Sequence, residues 1–359
     1  MSSPKGRLAL FAAAAIVLAS LLSLAMAEAV LRLVDYPAAT FSPWIRSEHL
    51  GFRLVPSLKT RMSGPEYDVA VETNSMGFRD DEIGPKTGKR ILLLGDSFAM
   101  GYGVSRGEIF ADRLERDLGV DVVDAGTGGY EIVHQVQLLK EYGKSLAPDF
   151  VVYALYLGND LAWNDQWERG SDGTLRSLVR EYPVRQPREI KLLRLLHDFA
   201  YGLRAKSKEK DGEWLPFDGY LGLCERDFGE EARKDYDQAT GLLGEMAQQV
   251  RGLGVPFFVV FVPYRSMVEP EARASLKVKV PDLDSRYDLT RPGREMDRRL
   301  TELGIDHADS TAFLAEQHSR TGAGLFFPID GHLTPEGHRA LGAFLEPLLK
   351  ERLARVPNL

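Results

Sequence analysis

Four short stretches hold the side-chain types that acyl transfer requires, and three of them end apolar runs. Gly95-Asp96-Ser97 closes the run Ile91 to Leu94, and Asp124-Ala125-Gly126-Thr127-Gly128-Gly129 closes Val120 to Val123. Gly158-Asn159-Asp160 closes Phe150 to Leu157, and Asp330-Gly331-His332 stands near the C-terminus. A serine hydroxyl is a weak nucleophile until a neighbouring imidazole takes its proton. A carboxylate on the other ring nitrogen fixes the tautomer and stabilises the imidazolium. A tetrahedral oxyanion needs donors set in place beforehand, and losing one costs about 3–4 kcal/mol. The sequence offers Ser97 as the hydroxyl, Asp330 and His332 as the carboxylate–imidazole pair, and the N–H groups of Ser97 and Gly129 with the Asn159 amide as three donors.

Each stretch alone has a plainer reading: a capped turn, a tight loop, a turn pair, a structural histidine. Their joint occurrence in this order at successive strand ends is what favours chemistry. Among the seven histidines, His332 follows an aspartate by two residues on an expected loop. His338 falls in the last helix and is expected to be structural. His134, in an earlier helix, is a weaker candidate that could approach the site from below.

The elements that must position these residues follow from periodicity. After Arg90, apolar runs alternate with amphipathic helices. One helix carries Ile109, Phe110, Leu114 and Leu118 and is closed by Gly119; another carries Ile132, Val136 and Leu139; a third carries Ala239, Leu242, Leu243, Met246 and Val250. Phe257 to Val262 reads as a fourth strand, and Ile305 with Ala308 marks a fifth. The last helix starts at Thr334-Pro335-Glu336, and Pro347 inside its pattern predicts a kink or break there. Alternating elements of this kind imply an α/β fold with a mostly parallel five-stranded sheet covered on both faces. Ligands of such sheets bind beyond the carboxyl ends of the strands, where the four stretches fall.

Two segments stand outside that rhythm. Residues 34–88 carry many turn-formers and an alternation between Tyr67 and Thr73, and read as a small β-rich lead-in with no chemistry of its own. Residues 161–230 read as an insertion over the top of the sheet. It contains Trp163, Trp167 and Trp214, a helical stretch from Glu189 to Leu203 and a solvated loop at Lys206 to Asp211. The hydrolase-like body is expected to span residues 89–355.

At the N-terminus, Lys5 and Arg7 precede twenty uncharged residues, Leu8 to Ala27. That length suits a membrane-crossing helix with its basic flank in the cytoplasm. Residues 1–33 are therefore expected to form an uncleaved anchor, with a cleaved signal peptide as the alternative because Ala25-Met26-Ala27 fits a cleavage site. Either places the body outside the cytoplasm. A net charge of −7 gives no basic footprint for nucleic acid. The single cysteine, Cys224, rules out an internal disulfide framework and a cysteine-rich zinc site. No metal is expected, because the Asp330–His332 pair lacks companion ligands at useful spacing. No cofactor is expected either, since phosphate-loop and dinucleotide fingerprints are absent.

The serine setting lacks the Gly-x-Ser-x-Gly pattern of α/β-hydrolases, because Ala99 stands where the second glycine belongs. Gly95-Asp96-Ser97, Gly129, Gly158-Asn159-Asp160 and Asp330-Gly331-His332 instead resemble the four blocks of the SGNH, or GDSL-type, esterases and lipases. The resemblance covers roughly Arg90 to Leu353. It implies a flavodoxin-like three-layer sandwich, Ser97 as nucleophile, His332 as general base then acid, and Asp330 as its orienting group. It also implies an oxyanion hole of Ser97, Gly129 and Asn159, with Asp96 shaping the turn and Asp160 in support. Leu157 replaces the first glycine of the usual third block. The two-residue Asp-to-His spacing, with the lead-in Asn74-Ser75-Met76-Gly77-Phe78-Arg79, resembles membrane-anchored and polysaccharide-modifying relatives.

Four functions are compatible with these residues. The first is hydrolysis of O-acyl groups, O-acetyl above all, on extracytoplasmic carbohydrate. The others are a lipid esterase or lysophospholipase, an O-acyltransferase to a glycan, and a non-catalytic anchored binding module.

Overall fold

The structure is a computed structural model that describes residues 4–34, 44–162, 164–178, 191–192, 195–196 and 221–356. The expected helix at Glu189 to Leu203 lies largely outside these residues, and the Lys206 to Asp211 loop, Trp163 and Trp214 lie wholly outside them. The chain opens with a helix, Pro4–Leu33. Its stretch Phe11–Leu33 has a mean hydropathy of 2.2 and no part of it is buried against the body.

The lead-in forms two antiparallel hairpins. β1 (Trp44–Ser47) pairs with β2 (Gly51–Leu54), and β3 (Lys59–Ser63) pairs with β4 (Asp68–Glu72). β4 is the strand that the 67–73 alternation predicts, and the other three fit the expected β-rich lead-in. Next comes β5 (Arg90–Gly95), then β6 (Asp121–Asp124) and β7 (Phe150–Tyr156). A small hairpin, β8 (Trp167–Arg169) with β9 (Leu175–Ser177), belongs to the insertion. β10 (Phe257–Val262) and β11 (Asp306–Asp309) complete the set.

The main sheet has the order β11-β10-β7-β5-β6, and all its pairings are parallel. Counted within the sheet, that is the flavodoxin order, 2-1-3-4-5. β5 and β7 are buried along their whole length, as near-continuous apolar runs at the centre of a parallel sheet must be. β11 is an edge strand with a polar sequence, and Arg352 covers it: its guanidinium holds both oxygens of Asp306 and lies 4.3 Å from the centre of the Phe258 ring. The helices Ile132–Leu146 and Glu230–Leu253 pack against each other, and so do Phe110–Leu118 and Pro335–Ala354.

The last helix corrects one expectation. Pro335–Ala354 runs unbroken with Pro347 inside it. Leu341, Leu345, Leu349 and Leu353 are buried along it, so the packed face holds the helix together although proline removes one backbone donor. Four helical segments between Arg265 and Glu302 carry no apolar period strong enough to read; Arg291–Glu302 buries only Pro292, Gly293, Met296 and Leu300.

The insertion's Trp167 does not face outward. It is 9% exposed, edge-on to His134 and tilted against Phe52 of the lead-in. His134 itself is fully buried and stacks on Tyr130. Its Nδ1 accepts the Glu131 N–H at 3.1 Å in a reciprocal helix cap. Burial pushes its pKa down to about 3, so it stays neutral. His134 is a core residue, which removes it as a candidate base. His338 is likewise buried, stacked on Phe110, as expected of a structural residue.

Candidate active site

The sheet order reverses between β5 and β7, and the switch point of such a sheet is where ligands bind. Gly95 pairs with Ala154, so both strands finish at the same edge. Ser97 follows β5 by two residues, and Asn159 stands in the turn after β7. The Phe98 and Tyr156 rings stack at 3.9 Å and join the two turns.

Ser97 opens a single helical turn, Ser97–Met100, whose cap is Asp96 accepting the Phe98 N–H at 2.9 Å. The start of this turn is tied down from two sides. The Gly95 carbonyl accepts from the Gln135 side chain at 2.7 Å and from the Thr127 N–H at 3.1 Å. The far end is held by Arg79, 1% exposed, whose guanidinium donates to the carbonyls of Met100, Gly101 and Val104 and, from the other side, to Ala70. Burial lowers the Arg79 pKa to about 10, which still leaves it charged at neutral pH. The motif Asn74 to Arg79 is therefore the plug that joins the lead-in to the serine turn.

Asp330 and His332 lie on the loop between Leu325 and Thr334. His332 Nε2 is 2.8 Å from Ser97 Oγ, and His332 Nδ1 is 2.5 Å from Asp330 Oδ1. The Tyr102 ring stacks on His332 at 4.5 Å, and Phe98 lies 4.9 Å away. Burial alone would raise the Asp330 pKa, but the hydrogen bond and charge of His332, together with a hydrogen bond from Tyr67, hold it below the ordinary range. Asp330 is thus an ionised acceptor facing a ring whose other nitrogen faces a hydroxyl. Such a chain can draw a proton off serine and return it to a leaving group.

The remaining predicted residues fall around this chain. Thr127 to Tyr130 is a tight turn, closed by Tyr130 N–H to the Thr127 carbonyl at 3.1 Å, and Gly129 takes the left-handed conformation at φ 82°. Gly128 is the closer of the two glycines: a Cβ there would stand 3.7 Å from Ser97 Cβ, whereas one at Gly129 would meet only Phe52. Among the described residues, the N–H groups of Ser97 and Gly129 donate to no partner, while the Gly128 N–H faces Met100 Sδ at 3.4 Å. Asn159 is half-buried, and its Oδ1 is enclosed without a partner among the described residues. Asp160 is fully buried and accepts from the Tyr153 hydroxyl and the Tyr156 N–H. Burial raises its pKa well above the ordinary range, with nearby Asp96 adding to the effect. Burial likewise raises Asp96 to about 6, although the Phe98 N–H and His332 oppose that rise. Asp96 thus caps the serine turn, and Asp160 ties the turn after β7 to Tyr153 and Tyr156.

Three features were not legible in the sequence, and two of them belong to the lead-in. Glu66 accepts the N–H groups of Ile329 and Asp330 with its carboxylate, and the Tyr67 hydroxyl donates to Asp330 Oδ2 at 2.8 Å. Trp44 Cζ2 would stand 3.7 Å from a Cβ at Gly128, on the side of Ser97. On the main body, buried Glu269 accepts the N–H groups of Leu325 and Phe326 and is paired with Arg265. The lead-in, expected to be inert, reaches the site directly. A cleft of about 600 Å³, lined by Lys59, Glu72, Asp80 and Arg106 among others, contains none of the predicted residues.

Tight packing behind the serine turn gives one prediction. A Cβ on Gly126 would lie 2.5 Å from the Met100 backbone nitrogen and 2.8 Å from Ala99 Cβ. Gly126→Ala is expected to shift the serine turn and lower ester turnover about 100-fold, the effect of misplacing a reacting group by about 1 Å. Steady-state kinetics with an activated ester, beside a thermal melt, measures it; turnover within threefold of wild type would contradict it.

The flavodoxin-order parallel sheet, with Ser97, His332 and Asp330 at its switch point, is the frame of an SGNH-type ester hydrolase and not of the α/β-hydrolase superfamily. The GDSL-like lipase/acylhydrolase family model matches residues 91–345, and the chain belongs to that family. No curated protein matches it. Similar solved structures include an acetyl xylan esterase, AlAXEase, at 12% identity with a TM-score of 0.42; the match covers 72% of this chain and 99% of that one. TesA is 15% identical at a TM-score of 0.38, covering 73% and 99%. A lipase/acylhydrolase from Enterococcus faecalis is 16% identical at a TM-score of 0.38, covering 74% and 96%.

Proposed function

We propose that Ser97 is an acyl-transfer nucleophile that removes O-acyl groups, acetyl above all, from carbohydrate outside the cytoplasm. The observation that carries the reading is the unbroken chain Ser97 Oγ–His332–Asp330 at the sheet's switch point. His332 takes the hydroxyl proton as Ser97 attacks the ester carbonyl, and returns it to the departing sugar hydroxyl. The acyl group stays on Ser97 until water, deprotonated by the same imidazole, releases it as a carboxylic acid. The N–H groups of Ser97 and Gly129, with the Asn159 amide, receive the developing oxyanion.

A Cβ at Gly128 would stand 3.3 Å from Met100 Cε and 3.7 Å from Trp44 Cζ2 and Ser97 Cβ, so Met100 and Trp44 lie close to the nucleophile. Trp167 is part of the core and offers no exposed face for a sugar. Placement outside the cytoplasm rests on the exposed apolar helix with Lys5 and Arg7 at its start, read as a membrane anchor. Acetate release from acetylated xylan or another acetylated glycan, with Ser97→Ala as control, tests the proposal. Fatty-acid release from lysophospholipid without acetate release would favour the lipid reading, and acetyl transfer to an added glycan would favour the acyltransferase.

A further inference from the structure

The tip of the β3–β4 hairpin is only four residues long, Gly64-Pro65-Glu66-Tyr67, and is closed by the Gly64 N–H on the Tyr67 carbonyl at 2.8 Å. It reaches the Asp330 loop across more than 260 residues of sequence. Glu66 Oε2 accepts the Asp330 N–H at 2.8 Å, and its carboxylate also accepts the Ile329 N–H at 3.0 Å. The Tyr67 hydroxyl donates to Asp330 Oδ2 at 2.8 Å, while Oδ1 faces His332 Nδ1. Both oxygens of the carboxylate are therefore engaged from opposite sides, which fixes its rotation. The Tyr67 ring is seated by Phe327 and Tyr102, at 5.2 and 5.8 Å between centroids. Bare Gly103 makes room for it, because a Cβ there would lie 2.9 Å from both Tyr67 and Phe327.

We propose that Tyr67 is a positioning residue for the proposed Ser97 chemistry: its phenol orients the Asp330 carboxylate on His332, while Glu66 fixes the backbone that carries Asp330, so that the lead-in completes the proton relay. This rests on the reading of Ser97 as nucleophile. Burial and the neighbouring Asp330 raise the Tyr67 pKa far above neutrality, so the phenol remains a donor at any working pH. A neutral donor on Oδ2 draws charge away from Oδ1 and so tempers how strongly Asp330 holds a proton on His332. Among the described residues, charged or titratable groups near the relay include Asp96, Tyr102 and His338 around the imidazole, and Arg265, which faces Glu66.

The test is the rate of fluorophosphonate labelling of the full chain in detergent micelles, measured between about pH 5 and 9. Wild type is compared with Ser97→Ala, Tyr67→Phe and Glu66→Gln. Tyr67→Phe keeps the ring and its packing. The limiting rate is expected to fall about tenfold, the effect of one lost hydrogen bond to a charged group, and the profile's midpoint to move to higher pH. Glu66→Gln removes a negative charge beside the relay, so its midpoint is expected to move the other way. Labelling that requires Ser97 but keeps wild-type rate and midpoint in Tyr67→Phe would overturn the proposal and leave the nucleophile standing. Labelling that persists undiminished in Ser97→Ala would overturn the nucleophile and the proposal with it.

Discussion

Ser97→Ala is expected to reduce ester turnover by about 10⁶-fold, and His332→Ala by about the same factor, because the pair acts as one unit. The double variant should be no worse than either single one. Asp330→Asn is expected to cost about 10⁴-fold, since an amide beside Nδ1 favours the wrong imidazole tautomer. The reasoning is geometric. His332 faces Ser97 Oγ at 2.8 Å, while the next acceptor near that hydroxyl, Asp96 Oδ2, lies at 3.5 Å. Among the described residues, His332 is the imidazole hydrogen-bonded to Ser97 Oγ, while the buried rings of His134 and His338 take the Glu131 and Phe110 N–H groups instead. Ser97→Ala removes one half-buried hydroxyl, so its melting temperature should stay close to wild type. Turnover of an activated ester measured for the four variants gives the pattern. Additive losses, or activity above about one per cent of wild type in Ser97→Ala, would contradict the account.

The second large effect concerns stability. Arg79→Met is expected to destabilise the fold by about 3–5 kcal/mol, because it strips several buried carbonyls of their donor at about 1–3 kcal/mol each. The side chain is 1% exposed and serves the carbonyls of Met100, Gly101, Val104 and Ala70. Methionine fills the space but leaves these acceptors without donors in a site closed to water. Arg79→Lys is expected to recover only part of the loss, because an ammonium cannot reproduce the fork that spans the carbonyls of both segments. Turnover should fall with stability, since three of the four carbonyls belong to the serine turn and the loop after it. Urea denaturation of the full chain in micelles measures the change; a loss under about 1 kcal/mol would show that the plug is not what joins the lead-in to the body.

Much of this was legible in the sequence because it rests on local patterns. The fully buried strands β5 and β7 are near-continuous apolar runs, Ile91 to Leu94 and Phe150 to Tyr156, and each is followed closely by its polar turn, so the strand ends pointed to Ser97 and Asn159 together. Gly119 and the Thr334-Pro335 cap marked helix boundaries for the same reason. Pro347 misled, because the apolar face of its helix outweighs one missing donor. The burial of Trp167 could not be read, because a tryptophan in an irregular segment has no period to show which way it points. Glu66, Tyr67, Trp44 and Glu269 could not be read at all. Their partners are backbone amides or side chains far away in sequence, and a carboxylate that accepts two loop N–H groups has no spacing rule. The β-rich lead-in was found, but its contact with Asp330 is purely tertiary. Arg79 lay within a stretch already noticed, and four distant carbonyls explain why an arginine stands there.

The central claim is that Ser97 forms a covalent acyl-enzyme. Its most direct test is a fluorophosphonate reaction with the full-length protein, followed by peptide mass spectrometry to locate the adduct. A single adduct on the peptide containing Ser97, absent from Ser97→Ala and strongly slowed in His332→Ala, is the predicted result. An adduct on a different residue, or a folded wild-type protein that takes up no label, would contradict it.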